Sequence, residues 1–167
     1  SDVCSSDLKL VLVNQSGITV GAGAVVDTAG FTASALGMSQ ADAVAGRLRF
    51  AADGSSVATG TLTVQGNIIA RTGDVVLIAP NVEVAQTAVV QAPNGAAILA
   101  AGQQVEVTGR GLEGITMQVQ APSDRAVNLG TLRGDAVGIF ASQVRHSGLI
   151  QAQGLTVTGG KVVLKAA

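Results

Sequence analysis

The chain predicts an all-β solenoid, a parallel β-helix, on three observations. The first is internal repetition. Gly73-Asp74-Val75-Val76-Leu77-Ile78-Ala79 returns as Gly95-Ala96-Ala97-Ile98-Leu99-Ala100-Ala101 and again as Gly160-Lys161-Val162-Val163-Leu164-Lys165-Ala166, with a looser copy over Gly134–Ala141. Positions 73 and 95 are one solenoid turn apart, and a single repeat cannot bury its own apolar face, so consecutive units must stack. The second observation is run length: apolar stretches of three to five residues between Gly, Asn and Pro are too short for helices. The spacing is also too short for strand-helix-strand units. The third is composition. With 47 % apolar residues but only 2 % aromatic, no Trp and no Tyr, the interior must be filled by Val, Ile, Leu and Ala, which suit a narrow layered core.

Taken in order, Lys9–Val13 reads as a short strand closed by the turn residues Asn14-Gln15-Ser16-Gly17, and Ile18-Thr19-Val20 as a second. Gly21–Val26 breaks and resumes the chain, a turn follows at Asp27–Gly30, and Phe31–Leu36 is a further strand. Ser39 with Asp42 three residues on is similar to a capping box, and Gly46 stops the helix of one or two turns that follows. Arg47–Ala51 is a strand and Asp53-Gly54-Ser55-Ser56 a hairpin-like loop, so 31–56 is expected to leave the repeating body.

From Val57 the pattern is strand, turn, strand, turn: Leu62–Val64 before Ile68–Ala70, Val75–Ala79 before Val82–Val84, Val89–Gln91 before Ala97–Ala100, with Val105-Glu106-Val107 opening the next coil. Turns fall at Gly66-Asn67, Thr72-Gly73, Pro80-Asn81, Pro93-Asn94-Gly95, Gly109-Arg110-Gly111, Pro122-Ser123-Asp124, Gly148 and Gly159-Gly160. Val75-Val76-Leu77-Ile78 does not alternate, as expected of a parallel strand covered on both faces. Stacked coils pair every strand above and below, about 4.8 Å apart, which leaves each end of the rod in need of a cap; neither terminus is polar enough to be one.

The opening Ser1–Leu8 lacks the periodicity and resembles a translated sequencing-adapter remnant. One domain is therefore expected over 9–167, divided into a start with its excursion (9–56) and repeat coils (57–167). A net charge of −1 with 13 % charged residues supplies no basic field for nucleic acid or anionic lipid. No apolar stretch approaches the roughly 20 residues that span a bilayer as a helix. The single Cys4 allows no disulfide framework.

Chemistry is sparse. One His and one Cys, far apart, do not make a metal centre, and His146 between Arg145 and Ser147 reads as a solvated surface residue. Glu83 and Glu106, each between two valines, are the best enzyme lead: on adjacent coils they would lie about 5 Å apart, the separation of a retaining glycosidase pair, though facing outward on an open surface. Gly21-Ala22-Gly23 lacks the third glycine and the long helix of a dinucleotide site. Asn14-Gln15-Ser16 is formally a glycosylation acceptor. Asp74 and Asp135 follow repeat glycines and read as solvated turn residues rather than calcium ligands.

The run Leu12-Val13-Asn14-Gln15-Ser16-Gly17-Ile18, then Gly21–Gly30, Phe31–Leu36 and Ala41–Phe50, resembles the secretion domain of filamentous haemagglutinin-like exoproteins of two-partner secretion. Gly130-Thr131-Leu132 and Gly148–Ala152 are similar to that family's Gly-Thr-Ile-x-Ala repeat cores; Ser39–Arg47 is the most specific stretch. The resemblance implies a right-handed parallel β-helix without enzymatic activity or cofactor. It implies the secretion and structural domain of a large adhesin, exported through the periplasm and an outer-membrane barrel transporter to the surface of a Gram-negative bacterium or beyond it. Host receptors or glycans would be met by the full-length protein; nucleic acid binding and membrane insertion are not implied.

The family's Asn-Pro-Asn-Gly-Ile motif, implied to be read by the transporter, falls on residues 14–18. Asn14, Gly17 and Ile18 match, whereas Gln15 and Ser16 depart. An upstream Asn-Pro-Asn-Leu motif and the amino-terminal cap have no counterpart, so a chain truncated at its start is expected. Two other classes stay open: a polysaccharide lyase or hydrolase built on a β-helix, and a passenger segment of an autotransporter.

Overall fold

Three short strands per coil, separated by corners, stack into parallel ladders that form the three faces of a tube. The computed structural model describes residues 3–5, 9–51, 60–108, 115–119, 123–152, 155–158 and 161–165. The first face is built from β3 (Ile18–Val20), β7 (Thr61–Val64), β10 (Asn81–Val84), β14 (Arg125–Asn128) and β16 (Gln143–His146), all parallel. The second holds β1 (Val3–Ser5), β4 (Val25–Thr28), β8 (Asn67–Ala70), the first halves of β11 (Val89–Ala101) and β15 (Thr131–Phe140), and β17 (Leu149–Gln151). The third holds β2 (Lys9–Val13), β5 (Gly30–Ser34), β9 (Val75–Ala79) and the second halves of β11 and β15. This is the parallel β-helix that the repeats require.

The repeat spacing is the coil spacing. Val75 pairs with Ala97 and Leu77 with Leu99, so the first two copies of the heptapeptide lie on top of one another. The looser copy is stacked too, with Ala96 opposite Ala136, but the corner before it is shorter: the register shifts between Ala92 and Ala96. Pro93 sits in that irregularity, where its missing N–H breaks no ladder.

Inward positions form one core of small aliphatic side chains, among them Leu62, Val64, Ile68, Val75, Leu77, Val90, Leu99, Leu132 and Ile139. The outward positions of the third face are buried as well. Val76, Ile78, Ile98, Ala100 and Phe140 pack with Leu36, Phe50 and Val105 in a second cluster outside the tube. Burial on both sides explains why Val75–Ala79 does not alternate: all five residues are buried.

The cover over that face corrects two expectations. The strand containing Phe31 stays in the ladder as β5, with Phe31 and Ala33 in the tube core, so the excursion begins only after it. It carries α1 (Gln40–Ala45) and β6 (Leu48–Ala51). Val105–Val107 does not open a new coil either: β12 (Gln104–Val107) leaves the tube and pairs antiparallel with β6 on one side and with β13 (Ile115–Val119) on the other. Two excursions, remote in sequence, thus form one three-stranded antiparallel sheet, because each supplies apolar residues that cover the outer row of β9 and β11 and are buried by it.

The ends also differ from expectation. Val3–Ser5, placed outside the fold by its lack of periodicity, pairs in parallel with Val25–Asp27. The third heptapeptide copy is not stacked in the repeat sense: β19 (Lys161–Lys165) runs antiparallel to β15 and to β18 (Leu155–Thr158). The loop expected at Asp53–Ser56 and the turns at Gly109–Gly111 and Gly159-Gly160 lie outside the described residues, as does Pro122.

Candidate functional site

The 14–18 segment is the corner between the third face of one coil and the first face of the next. Asn14 N–H donates to Ser34 C=O at 2.9 Å, the last rung of the ladder with β5. Gly17 N–H then donates to Asn14 C=O at 3.1 Å, closing a turn, and Asn14 Oδ1 accepts from Ser16 N–H at 3.0 Å, the side-chain mimicry for which Asn is favoured in turns. Gly17 leaves the turn at φ 114°, where a Cβ would also lie 3.0 Å from the Thr61 carbonyl oxygen. Ile18 then enters β3 buried, opposite Leu62. Asn14 and Gly17 therefore shape the corner, Ile18 anchors it, and Gln15 and Ser16 form its exposed tip.

Two shallow concavities flank the tip. One, of about 580 Å³, is lined by residues 15–19 with Gly60, Thr61 and Thr63. The other, of about 460 Å³, lies between Gln15 and the excursion, against Gly37, Ser39, Asp42, Arg49, Phe50 and Gln104. Gln15 is the shared rim, and Gly37 admits it: a Cβ at 37 would collide with the Gln15 side-chain amide.

Across the second concavity the helix forms as its caps dictate. Ser39 Oγ accepts from Asp42 N–H at 3.1 Å, and Gly46 ends the helix in the left-handed region at φ 72°. Charges here are paired, with the arginines about half exposed and the carboxylates of Asp42 and Glu106 mostly covered. Arg47 lies 3.9 Å from Asp42, and Arg49 Nε lies 3.5 Å from Glu106 Oε2 with the arginine about half exposed, so neither pair contributes more than about 1 kcal/mol.

The glycosidase lead does not survive this geometry. Glu83 sits on the first face, opposite Thr63 and Val127, whereas Glu106 belongs to the excursion sheet opposite Arg49 and Thr116. The 23-residue interval between them contains the departure of the chain from the tube, so they are not neighbours on adjacent coils. His146 is exposed, with Nδ1 3.0 Å from Asn128 Nδ2. Asp74 Oδ1 accepts from Ala96 N–H at 2.9 Å, a coil-to-coil tie, and Asp135 is exposed. Gly21–Ala24 is a turn closed by Ala24 N–H to Gly21 C=O. Among the described residues no group of three His, Cys, Asp or Glu is placed to hold a metal, and no helix is long and apolar enough to cross a membrane.

The model of the TPS secretion domain matches residues 3–167. The chain belongs to the TPS secretion domain family. Among solved structures, the HMW1 secretion domain from Haemophilus influenzae is similar with a TM-score of 0.77 and 28 % identity, over 89 % of this chain and 40 % of that one. The chain thus spans well under half the length of that relative. Comparison with curated proteins returns no match. The family makes this a secretion domain of a two-partner-secretion exoprotein, a class exported across the outer membrane.

The TPS fold gives its repeat cores a physical reason. The glycines of Gly130-Thr131-Leu132 and of Gly148–Ala152 occupy the corner before the second face, where a Cβ would strike backbone carbonyl oxygens of the coil below; Gly66 is placed the same way. What the sequence did not announce is the set of buried polar side chains among the described residues: Thr28, Ser34, Gln103, Asp124 and Asn128. Thr28 Oγ1 donates to Gly30 C=O, Ser34 Oγ to Leu36 C=O, and Asn128 Oδ1 accepts from Gly130 N–H. Each of these three satisfies backbone groups within two residues at a corner, whereas Gln103 and Asp124 bond to one another. The signal was local, a Ser, Thr or Asn two positions before the turn.

Proposed function

We propose that the corner at Asn14–Ile18, with the excursion that faces it, is the surface the outer-membrane transporter reads, and that residues 9–56 carry recognition while 57–167 extend the rod of a large surface adhesin. The observation that carries this reading is the division of labour within the corner. Asn14, Gly17 and Ile18 are committed to turn closure, a left-handed backbone and burial, which holds the Gln15-Ser16 tip in one conformation between two concavities. A rigid, pre-shaped protrusion is recognised without the ordering entropy that a mobile loop would lose. Asn14, Gly17 and Ile18 then act through shape, and Gln15 and Ser16 make the contacts.

Export itself needs no chemistry from this chain. Stacking of emerging coils on a folded amino-terminal template buries apolar surface, about 25 cal/mol per Å², and that burial favours outward passage. Host-cell receptors or glycans belong to the remainder of the exoprotein.

The test is export of the full exoprotein with its transporter. Replacing Asn14, Gly17 and Ile18 together is expected to abolish export. Gln15→Ala with Ser16→Ala is expected to reduce it while the purified domain keeps its circular dichroism spectrum and unfolding midpoint. Undiminished export of the triple variant would remove the role assigned to this corner.

A further inference from the structure

The carboxy-terminal segment meets two competing demands. Between the last two coils the register advances by 18 residues on both faces that continue: Asn128 pairs with His146 on the first, and Thr131 with Leu149 on the second. Carried to the third face, the same advance sets Leu155 opposite Val137 and Val157 opposite Ile139, in parallel. Carried once more to the first face, it sets Lys161 opposite Gln143 and Val162 opposite Val144. Leu155-Thr156-Val157-Thr158 has the apolar-polar alternation that such a wall strand needs.

The chain does otherwise. Residues 161–165 occupy the free edge of β15, antiparallel, with Val162 opposite Ile139 and Leu164 opposite Val137, and 155–158 pairs outside them. Thr158 pairs with Lys161, so 155–158 and 161–165 are antiparallel neighbours. Val137 and Ile139 are inward residues of the tube core. Both arrangements therefore bring an apolar pair to the same two positions: Leu155 and Val157 in the parallel sense, Leu164 and Val162 in the antiparallel one. The pseudo-palindrome Lys161-Val162-Val163-Leu164-Lys165 reads alike in either direction.

We propose that residues 155–158 and 161–165 are strand-exchanging strands. With nothing stacked beyond them, they form the antiparallel pair and close the edge of β15; when further coils follow, the pair opens, 155–158 takes the parallel place on β15 and 161–164 starts the next coil on β16. The antiparallel pair forms first because its strands are adjacent in sequence, so little loop entropy is lost. It covers a ladder edge that would otherwise template association with another chain. In an exoprotein that emerges gradually, the role of a temporary end cover rests on the secretion reading above; the exchange itself does not.

Cysteine pairs report the register. In a Cys4→Ser background, Ala136→Cys with Lys165→Cys spans the antiparallel pairing, and Gln143→Cys with Lys161→Cys spans the parallel one. Each pair is placed in the 167-residue chain and in the same chain carrying a fused copy of residues 67–101, which supplies the remaining faces of the next coil and one whole coil more. Under mild oxidation the first pair is expected to cross-link in the 167-residue chain and to lose its link in the extended one, where the second pair gains it. A first-pair link that persists in the extended chain, or no link there in either pair, overturns the exchange, as does a second-pair link in the 167-residue chain. None of these outcomes bears on export.

Discussion

Gln103 Nε2 donates to Asp124 Oδ1 at 2.6 Å, with both side chains buried, across the neck of the second excursion. Gln103 follows the third-face half of β11 and Asp124 precedes β14, so one hydrogen bond joins the points at which the chain leaves the tube and returns to it. Gly102 N–H to Ala79 C=O and Arg125 N–H to Pro80 C=O tie the same points to the coil below. The excursion is thereby an insertion with a closed base, and the coil beyond it stays in register.

Removing both partners should therefore cost less than the sum of removing each alone. Asp124→Leu leaves the Gln103 amide buried without this acceptor and is expected to destabilise the domain by about 1–3 kcal/mol. The double variant Gln103→Leu/Asp124→Leu should lose less than the two single losses added together. Urea unfolding of the four proteins measures the coupling, and strict additivity would show that the bond does not act as a clamp.

Glycines at corners should divide by what lies beneath them. A Cβ at Gly66 would lie 2.5 Å from the carbonyl oxygens of Gly21 and Ala24, whereas one at Gly21 meets nothing within 4 Å. Gly66→Ala is expected to cost about 1–3 kcal/mol, the range of overpacking. Gly21→Ala should fall within about 0.5 kcal/mol of the parent. Equal thermal midpoints for the two variants would contradict the stacking of corners.

The second cluster should melt separately from the first. Phe50 is fully buried between the excursion sheet and the outer row of β9 and β11, and Phe50→Ala is expected to cost about 3–5 kcal/mol. Amide exchange is the discriminating measurement: protection should fall over β6 and β12 while β9 and β11 keep theirs through the ladder. Uniform loss across the tube would mean that the two cores are one cooperative unit.

Gly17 combines a left-handed backbone with a close carbonyl neighbour. Gly17→Ala should destabilise by about 1–3 kcal/mol. Asn14→Ala, which removes only the side-chain bond to Ser16 N–H, should cost about 1 kcal/mol. Reversal of that order in denaturant titrations would place the strain of this corner elsewhere.

The sequence by itself determined the solenoid. Stacking demands that equivalent residues recur at the coil length, so Gly73–Ala79 and Gly95–Ala101 announced their own superposition, and the unalternating Val75–Ile78 announced a strand covered twice. It also determined the helix caps, because Ser39 and Gly46 act within one or two turns of chain, and it pointed to the 14–18 corner through a motif that a resemblance could name. What covers the third face was decided only in three dimensions. Leu36, Phe50 and Val105 lie in short apolar stretches that read like any other strand of the rod, and Glu106 had the same valine flanks as Glu83. The periodic pattern that places a residue on a coil carries no mark for leaving it. The direction of the last strand was likewise tertiary, since a palindromic apolar run pairs equally well either way and only the neighbour it finds selects between them.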